Sequence, residues 1–394
     1  MVNAPTTLLH SAIAALLLAC APLKAQETSF LKLHFDAIVA DGHNDILMRI
    51  MDGFDAGERS EKGHSDLPRF IEGGLDIQLF SVWVPMRIHN AGKAFEYANA
   101  EIDALEKLLG AHPQAGMKVL DQTDLEQALS EGKLAAIVAI EGGHAAEGSL
   151  EKVRELYRRG VRMFGLTWNN STPWSASSKD ESAGRRAGIT PEGEKLIGLL
   201  DSLGVMIDVS HSGEQAFWDL LKLTKNPIVA SHSACIQLRH HHRNLTNMQL
   251  RAFAKNGGIV MVNFFPGFIK SNMPKNKKAL VSQYNARLAE LRSGESLESS
   301  LKAWDAIVEE AAKKGLPTIL DVADHIDHAV KFAGIDHVGL GSDFDGIPYP
   351  PIGLKDVTYL PMLTRELLKR GYSESDVRKI LGENFVRVFT RVCH

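Results

Sequence analysis

The sequence predicts an α/β protein closed as a (β/α)8, or TIM, barrel, and three observations carry that expectation. Short β-rich apolar runs recur eight times, segments with apolar residues at three-and-four spacing lie between them, and glycines close several of those segments. Strands that alternate with helices pair in parallel, because a helical crossover returns the chain to the same end of the sheet.

In chain order the runs are Ile38 to Asp45, Leu75 to Val84, Leu134 to Glu141, Val161 to Trp168, Val205 to His211, Pro227 to His232, Ile259 to Phe264 and His337 to Asp343. Several have continuous apolar centres, the pattern of strands covered on both faces. Helical periodicity fills Leu150 to Arg159, Pro191 to Leu203 and Asp324 to Ala333, which stop at Gly160, Gly204 and Gly334. The link from the seventh run to the eighth, Pro266 to Asp336, is long and contains a charged helical stretch around Leu280 to Lys314. Its first part reads as an insertion over the barrel mouth, or equally as a solvated helix without a catalytic role. A doubly wound open sheet gives similar alternation, although no GxGxxG opens the first helix.

At 394 residues, 44% apolar and 23% charged, the chain can bury a sizeable core. A net charge of -4 and a pI near 6.5 supply no basic surface for a phosphate backbone, which argues against nucleic acid as a partner. Without repeats or long linkers, residues 29–394 read as one domain.

Residues 1–25 read as an export signal. An apolar run from Ser11 to Ala19 precedes Cys20, and Ala25 fits the last residue before cleavage, although no Lys or Arg precedes the run. The run is too short to span a bilayer. Leu17-Leu18-Ala19-Cys20 also resembles a lipoprotein processing site, with a lipid anchor on Cys20. Either version places the protein outside the cytoplasm, in the periplasm or cell envelope. Cys235 and Cys393 are too few for a disulfide framework or a thiolate metal cage, so any metal must take nitrogen and oxygen ligands.

Active sites of such barrels lie at the carboxyl ends of the strands. Five of the eight runs end there on polar residues: Asp41-Gly42-His43-Asn44-Asp45, Glu141-Gly142-Gly143-His144, Asp208-Val209-Ser210-His211, Ser231-His232-Ser233 and Gly341-Ser342-Asp343-Phe344-Asp345. Singly, each reads as a solvated strand end or a hydrogen-bonded core histidine. His43 and Asp45, two apart, share one side of an extended strand. Glu141 directly follows the apolar segment Ala135 to Ile140, and a carboxylate so placed needs a strong partner. Three imidazoles and two carboxylates suit Zn2+, and five protein ligands exceed one tetrahedral ion but suit two that share a carboxylate.

The motifs DGHND at 41–45, IEGGH at 140–144, LGVMIDVSH at 203–211, SHS at 231–233, RN at 243–244, VMVNFF at 260–265, VGLGSDFDG at 338–346 and GENFVRVF at 382–389 resemble, in order, those of the renal (membrane) dipeptidase family of zinc metallopeptidases. The resemblance covers nearly all of the chain after residue 25. It implies a metal-dependent hydrolase barrel with two Zn2+ per chain that hydrolyses dipeptides, with tolerance for a D-residue at the C-terminal position, and a homodimer. By that resemblance His43 and Asp45 hold one zinc, His211 and His232 the other, and Glu141, counted with Asp343 as catalytic, bridges them. The water between the metals is then the nucleophile, Asp343 the acid/base, and Arg243 the anchor of the substrate carboxylate. Where the best-known members carry a substrate-contacting His, this chain has Trp168, beside Asn169. Trp168 is a packing residue at the rim or, with Asn169, a substrate wall. His240 to His242 and His144 lie outside the expected ligand set. The rivals to a dipeptidase are a binuclear barrel that hydrolyses a cyclic amide or deaminates, and a binding protein that keeps the fold.

Overall fold

The computed structural model describes residues 24–291 and 297–394, so residues 1–23 of the export-signal reading, Cys20 among them, lie outside the described residues. Eight parallel strands close a barrel: β1 (Ala40–Asn44), β2 (Ile77–Trp83), β4 (Leu134–Glu141), β5 (Val161–Gly165), β6 (Met206–Asp208), β7 (Val229–Ser233), β8 (Ile259–Asn263) and β9 (Val338–Gly341). Closure comes from β2 pairing along β4, from Ile77 with Ala135 to Trp83 with Glu141. The open-sheet alternative is thereby excluded.

A ninth strand, β3 (Gly116–Lys118), was not expected from the sequence. It occupies the start of the β4 edge, pairing with Leu134 to Ala136, and β5 takes over that edge from Val138. Strand β4 is buried at every position, as its continuous apolar run requires.

The helices begin and end where the local chemistry dictates. Thr190 caps the helix Pro191–Leu203 by accepting from the Gly193 amide, with proline in the first turn. Gly204 ends that helix at φ 68°, where a Cβ would stand 2.7 Å from the Val392 carbonyl oxygen. The last helix, Asn384–Val392, turns Phe385, Val388, Phe389 and Val392 onto Ala40, Ile77, Met206, Val229 and Ile259. Those residues start their strands, so the helix forms the floor of the barrel. Each buried aromatic or aliphatic side chain there contributes roughly 1.5–3 kcal/mol.

In the long link, the helices Lys277–Glu290 and Leu297–Lys313 pack on one another. Leu301, Trp304, Ile307, Val308 and Ala311 form a buried stripe, and Trp304 stacks on Tyr359, so the stretch is not a freely solvated helix. The link reaches the barrel mouth with Phe268, beside Phe265 just after β8. Among the described residues, no helix is long and apolar enough to cross a membrane.

Candidate active site

The strand ends converge. His43 is on β1, and Asp45 immediately follows it as the cap of a short helix, Ile46–Met51. Their side chains meet, His43 Nε2 lying 3.4 Å from Asp45 Oδ2. Glu141, the last residue of β4, stands between two groups. Its Oε2 is 3.5 Å from His43 Nε2, while its Oε1 is 2.9 Å from His211 Nε2 and 3.7 Å from His232 Nε2. All five side chains are buried.

His211 lies three residues beyond β6, and His232 is within β7. Their Nε2 atoms face each other at 3.2 Å. Burial holds His211 down to about 3 and His232 well below the usual imidazole range, so both rings are neutral, the form that ligates a metal. Burial opposes the charge on His43, but Asp45 and Glu141 beside it prevail and hold its pKa well above the usual value. Burial likewise pushes Glu141 up, and His43 and His211 overturn that and hold it well below the carboxylate range. The carboxylates thus demand positive charge at this point.

A metal would supply it, and the donor set fits one. Three imidazoles and two carboxylates are the nitrogen and oxygen ligands that Zn2+ accepts. His43 Nε2 and Asp45 Oδ1 are buried without a hydrogen-bond partner among the described residues, the state of ligands aimed at a cation. Two groups bring their donor atoms within 4.8 Å of one another: His43, Glu141 and His232, and His43, Asp45 and Asp343.

Asp343 follows β9 at φ 62°, and Asp345 at φ 65° continues the same turn. Such angles are strained for residues with a Cβ and need support from their surroundings. Asp343 N–H donates to the His43 carbonyl at 3.1 Å, while the Asp345 carboxylate accepts from Arg49 Nη1 at 2.8 Å, from the His64 amide at 2.9 Å and from Ser65 Oγ. Gly346 permits the turn to close, because a Cβ there would lie 2.0 Å from Asp45 Oδ2 and 2.6 Å from Asp343 Oδ1. Burial raises Asp343 to about 7, with Asp45 and Glu141 adding to it against the opposing effect of His43, and Asn263 Nδ2 donates to its Oδ2 at 3.0 Å.

These residues open onto a cavity of about 260 Å³. Arg243 enters it buried, its Nε donating to the Ser210 carbonyl at 2.6 Å and its guanidinium 5.1 Å from the centre of the Phe268 ring. Burial lowers its pKa to about 10, so it remains a cation at neutral pH. Trp168 and Asn169 also line the cavity, and Trp168 meets Trp83 edge-on with ring centres 5.0 Å apart. His144 stays outside, bonded to the Val84 carbonyl at 2.9 Å. Of the three consecutive histidines, His241 packs on Phe268 and His242 bonds Ser178 Oγ at 3.0 Å. Trp83 and Asn263 were missed in the sequence. Both end buried strands on a non-ligating side chain, and their position at the carboxyl end was the available signal.

A parallel barrel with buried imidazoles and carboxylates gathered at the carboxyl ends of its strands is the architecture of a metal-dependent hydrolase. The family model described as membrane dipeptidase, peptidase family M19, matches residues 27–394, and the chain belongs to that family. Among solved structures, the chain is similar to dipeptidase AC, a family M19 metallopeptidase, at 26% identity and a TM-score of 0.73, covering 91% of this chain and 99% of that one. A metallopeptidase from Rhodobacter sphaeroides, liganded with a phosphinate mimic of the dipeptide L-Ala-D-Ala, matches at 26% identity and a TM-score of 0.74, covering 90% and 99%. The probable dipeptidase PvdM from Pseudomonas aeruginosa matches at 26% identity and a TM-score of 0.74, covering 94% and 99%. The chain is a dipeptidase-like hydrolase with a metal-binding cluster.

Proposed function

We propose that this hydrolase is a zinc dipeptidase with two Zn2+ per chain, one held by His43 and Asp45, the other by His211 and His232, and both by Glu141. The observation that carries the reading is the placement of Glu141, with one oxygen toward each pair of side chains. When bound, the cations supply Lewis acidity that lowers the pKa of water and polarises the scissile carbonyl. Arg243 binds the substrate's terminal carboxylate, as a guanidinium fork suits a planar anion. Asp343, raised to about 7 by burial, takes a proton from the attacking water and returns it to the leaving amine. Asn263 holds one Asp343 oxygen and thereby orients the carboxyl for that transfer. Trp168 and Asn169 form a wall of the dipeptide pocket.

Acceptance of a D-residue at the C-terminal position belongs to the same proposal, supported by the L-Ala-D-Ala mimic bound to the Rhodobacter relative. So do export to the periplasm or cell envelope, a lipid anchor on Cys20 and a homodimer, which fractionation of a Cys20→Ser variant and sedimentation test. The central experiment is metal content per chain in wild type beside Glu141→Ala, paired with hydrolysis of a dipeptide. Two zincs in wild type, with zinc and activity both lost in the variant, support the reading. One zinc or none in active wild-type protein overturns it.

A further inference from the structure

Two carboxyl groups that do not line the cavity hold the proposed ligands in place. Asp208, the last residue of β6, is buried and accepts four hydrogen bonds. Its Oδ1 receives the Ser210 amide at 3.0 Å, Ser210 Oγ at 2.8 Å and the Ser231 amide at 3.0 Å, and its Oδ2 receives Ser231 Oγ at 2.6 Å. Those two serines immediately precede His211 and His232. Four donors satisfy a buried carboxylate almost completely, so little freedom is left in the segment after β6 or in the end of β7.

The network also sets the protonation of one ligand. With its own hydrogen on Asp208, Ser231 Oγ can only accept from His232 Nδ1, 2.8 Å away. The Nδ1 atom therefore carries the ring hydrogen, and the lone pair of Nε2 faces Glu141 and His211. The His232 amide donates to Ser210 Oγ at 3.0 Å and completes the link between the two strand ends.

Asp41 on β1 plays the matching part across the barrel. It accepts from the Ser342 amide and from Ser342 Oγ, each at 2.6 Å, while Ser342 Oγ also reaches the His43 carbonyl at 3.3 Å. This ties the backbone that carries His43 to the backbone that carries Asp343. The bonds made by Asp41 do not touch those made by Asp208.

We propose that Asp208 and Asp41 are positioning residues that govern the two cation positions separately: Asp208 that of His211 and His232, Asp41 that of His43 and Asp45. The inference rests on the two-cation reading above. Loss of such a supporting partner typically weakens metal binding ~10- to 100-fold.

The test is competition of wild-type, Asp208→Asn, Ser231→Ala and Asp41→Asn proteins with a chelator for Zn2+, alongside cadmium-113 NMR of the cadmium-loaded proteins. His211→Ala and His43→Ala assign the two cadmium resonances. Asp208→Asn and Ser231→Ala are expected to weaken one binding event about 10- to 100-fold and to move the resonance assigned by His211→Ala. Asp41→Asn is expected to act on the other resonance. Should Asp208→Asn not fold, Ser231→Ala decides, since it removes a single hydroxyl. Equal weakening of both events, or no weakening, overturns the proposal while leaving two cations in the wild type. A wild type that binds a single ion instead defeats the two-cation reading, and the proposal with it.

Discussion

Replacing Arg243 by Met should abolish the enzyme's ability to tell a free dipeptide from its C-terminal amide. The guanidinium is buried, still charged at neutral pH, and anchored through Nε to the Ser210 carbonyl, so it presents a fixed edge to the cavity. Two charge-assisted hydrogen bonds to a carboxylate, at about 1.5–3 kcal/mol each, amount to about 3–6 kcal/mol, or roughly 10²- to 10⁴-fold in kcat/KM. The assay measures kcat/KM for a dipeptide and its amide with wild type and variant, after zinc content has been matched. Wild type should favour the free acid by that factor, and Arg243→Met should hydrolyse the two at nearly equal, low rates. Damage to packing around Ser210 or Phe268 would slow both substrates alike and leave their ratio unchanged. A variant that keeps the wild-type preference for the free acid would refute the assignment and place carboxylate recognition on another group.

Asp343→Asn should retain zinc and lower kcat about 10²- to 10⁴-fold, since it keeps the shape but cannot exchange a proton; unchanged kcat would assign proton transfer elsewhere. Gly346→Ala should weaken the proposed zinc binding, because a Cβ 2.0 Å from Asp45 Oδ2 forces Asp45 or the turn to shift, at a cost of about 1–3 kcal/mol; chelator competition measures it. His34 is buried between Thr364 Oγ1 and the Gly73 carbonyl, and burial lowers its pKa from 6.5 to about 4. The unfolded chain therefore binds more protons between those pH values, so stability is lost as pH falls from 6.5 toward 4, by about 3 kcal/mol at most. Urea unfolding at pH 7 and pH 5 should show that slope in wild type and a shallower one in His34→Gln; parallel slopes would clear His34.

The strands were legible because burial on both faces leaves a continuous apolar run, most plainly in Leu134–Glu141. Strand β3 was not, since Gly-Met-Lys carries no pattern and is extended only because the β4 edge is open there. Several runs were read too long at their carboxyl ends. His211 and Trp168 stand three residues past the last paired position, where the chain leaves the ladder to aim side chains inward. His43, Asp45, Glu141, His211 and His232 stood out by residue type at matching strand ends, and the structure brings them together. The roles of Asp208, Ser231, Asp41 and Asn263 depend on cross-strand register, which no run of residues displays by itself.

The floor of the barrel has a consequence for how the protein is made. Residues that seal the strand starts, Phe385 to Val392, lie far along the chain from Ala40 and Ile77, which they cover, and are made long after them. A nascent chain that has not yet reached those residues keeps an apolar ring uncovered, so the core stays incomplete until they are made. A premature stop at Asn384 would accordingly do more than delete one short helix: it would leave an open-ended cylinder prone to aggregation.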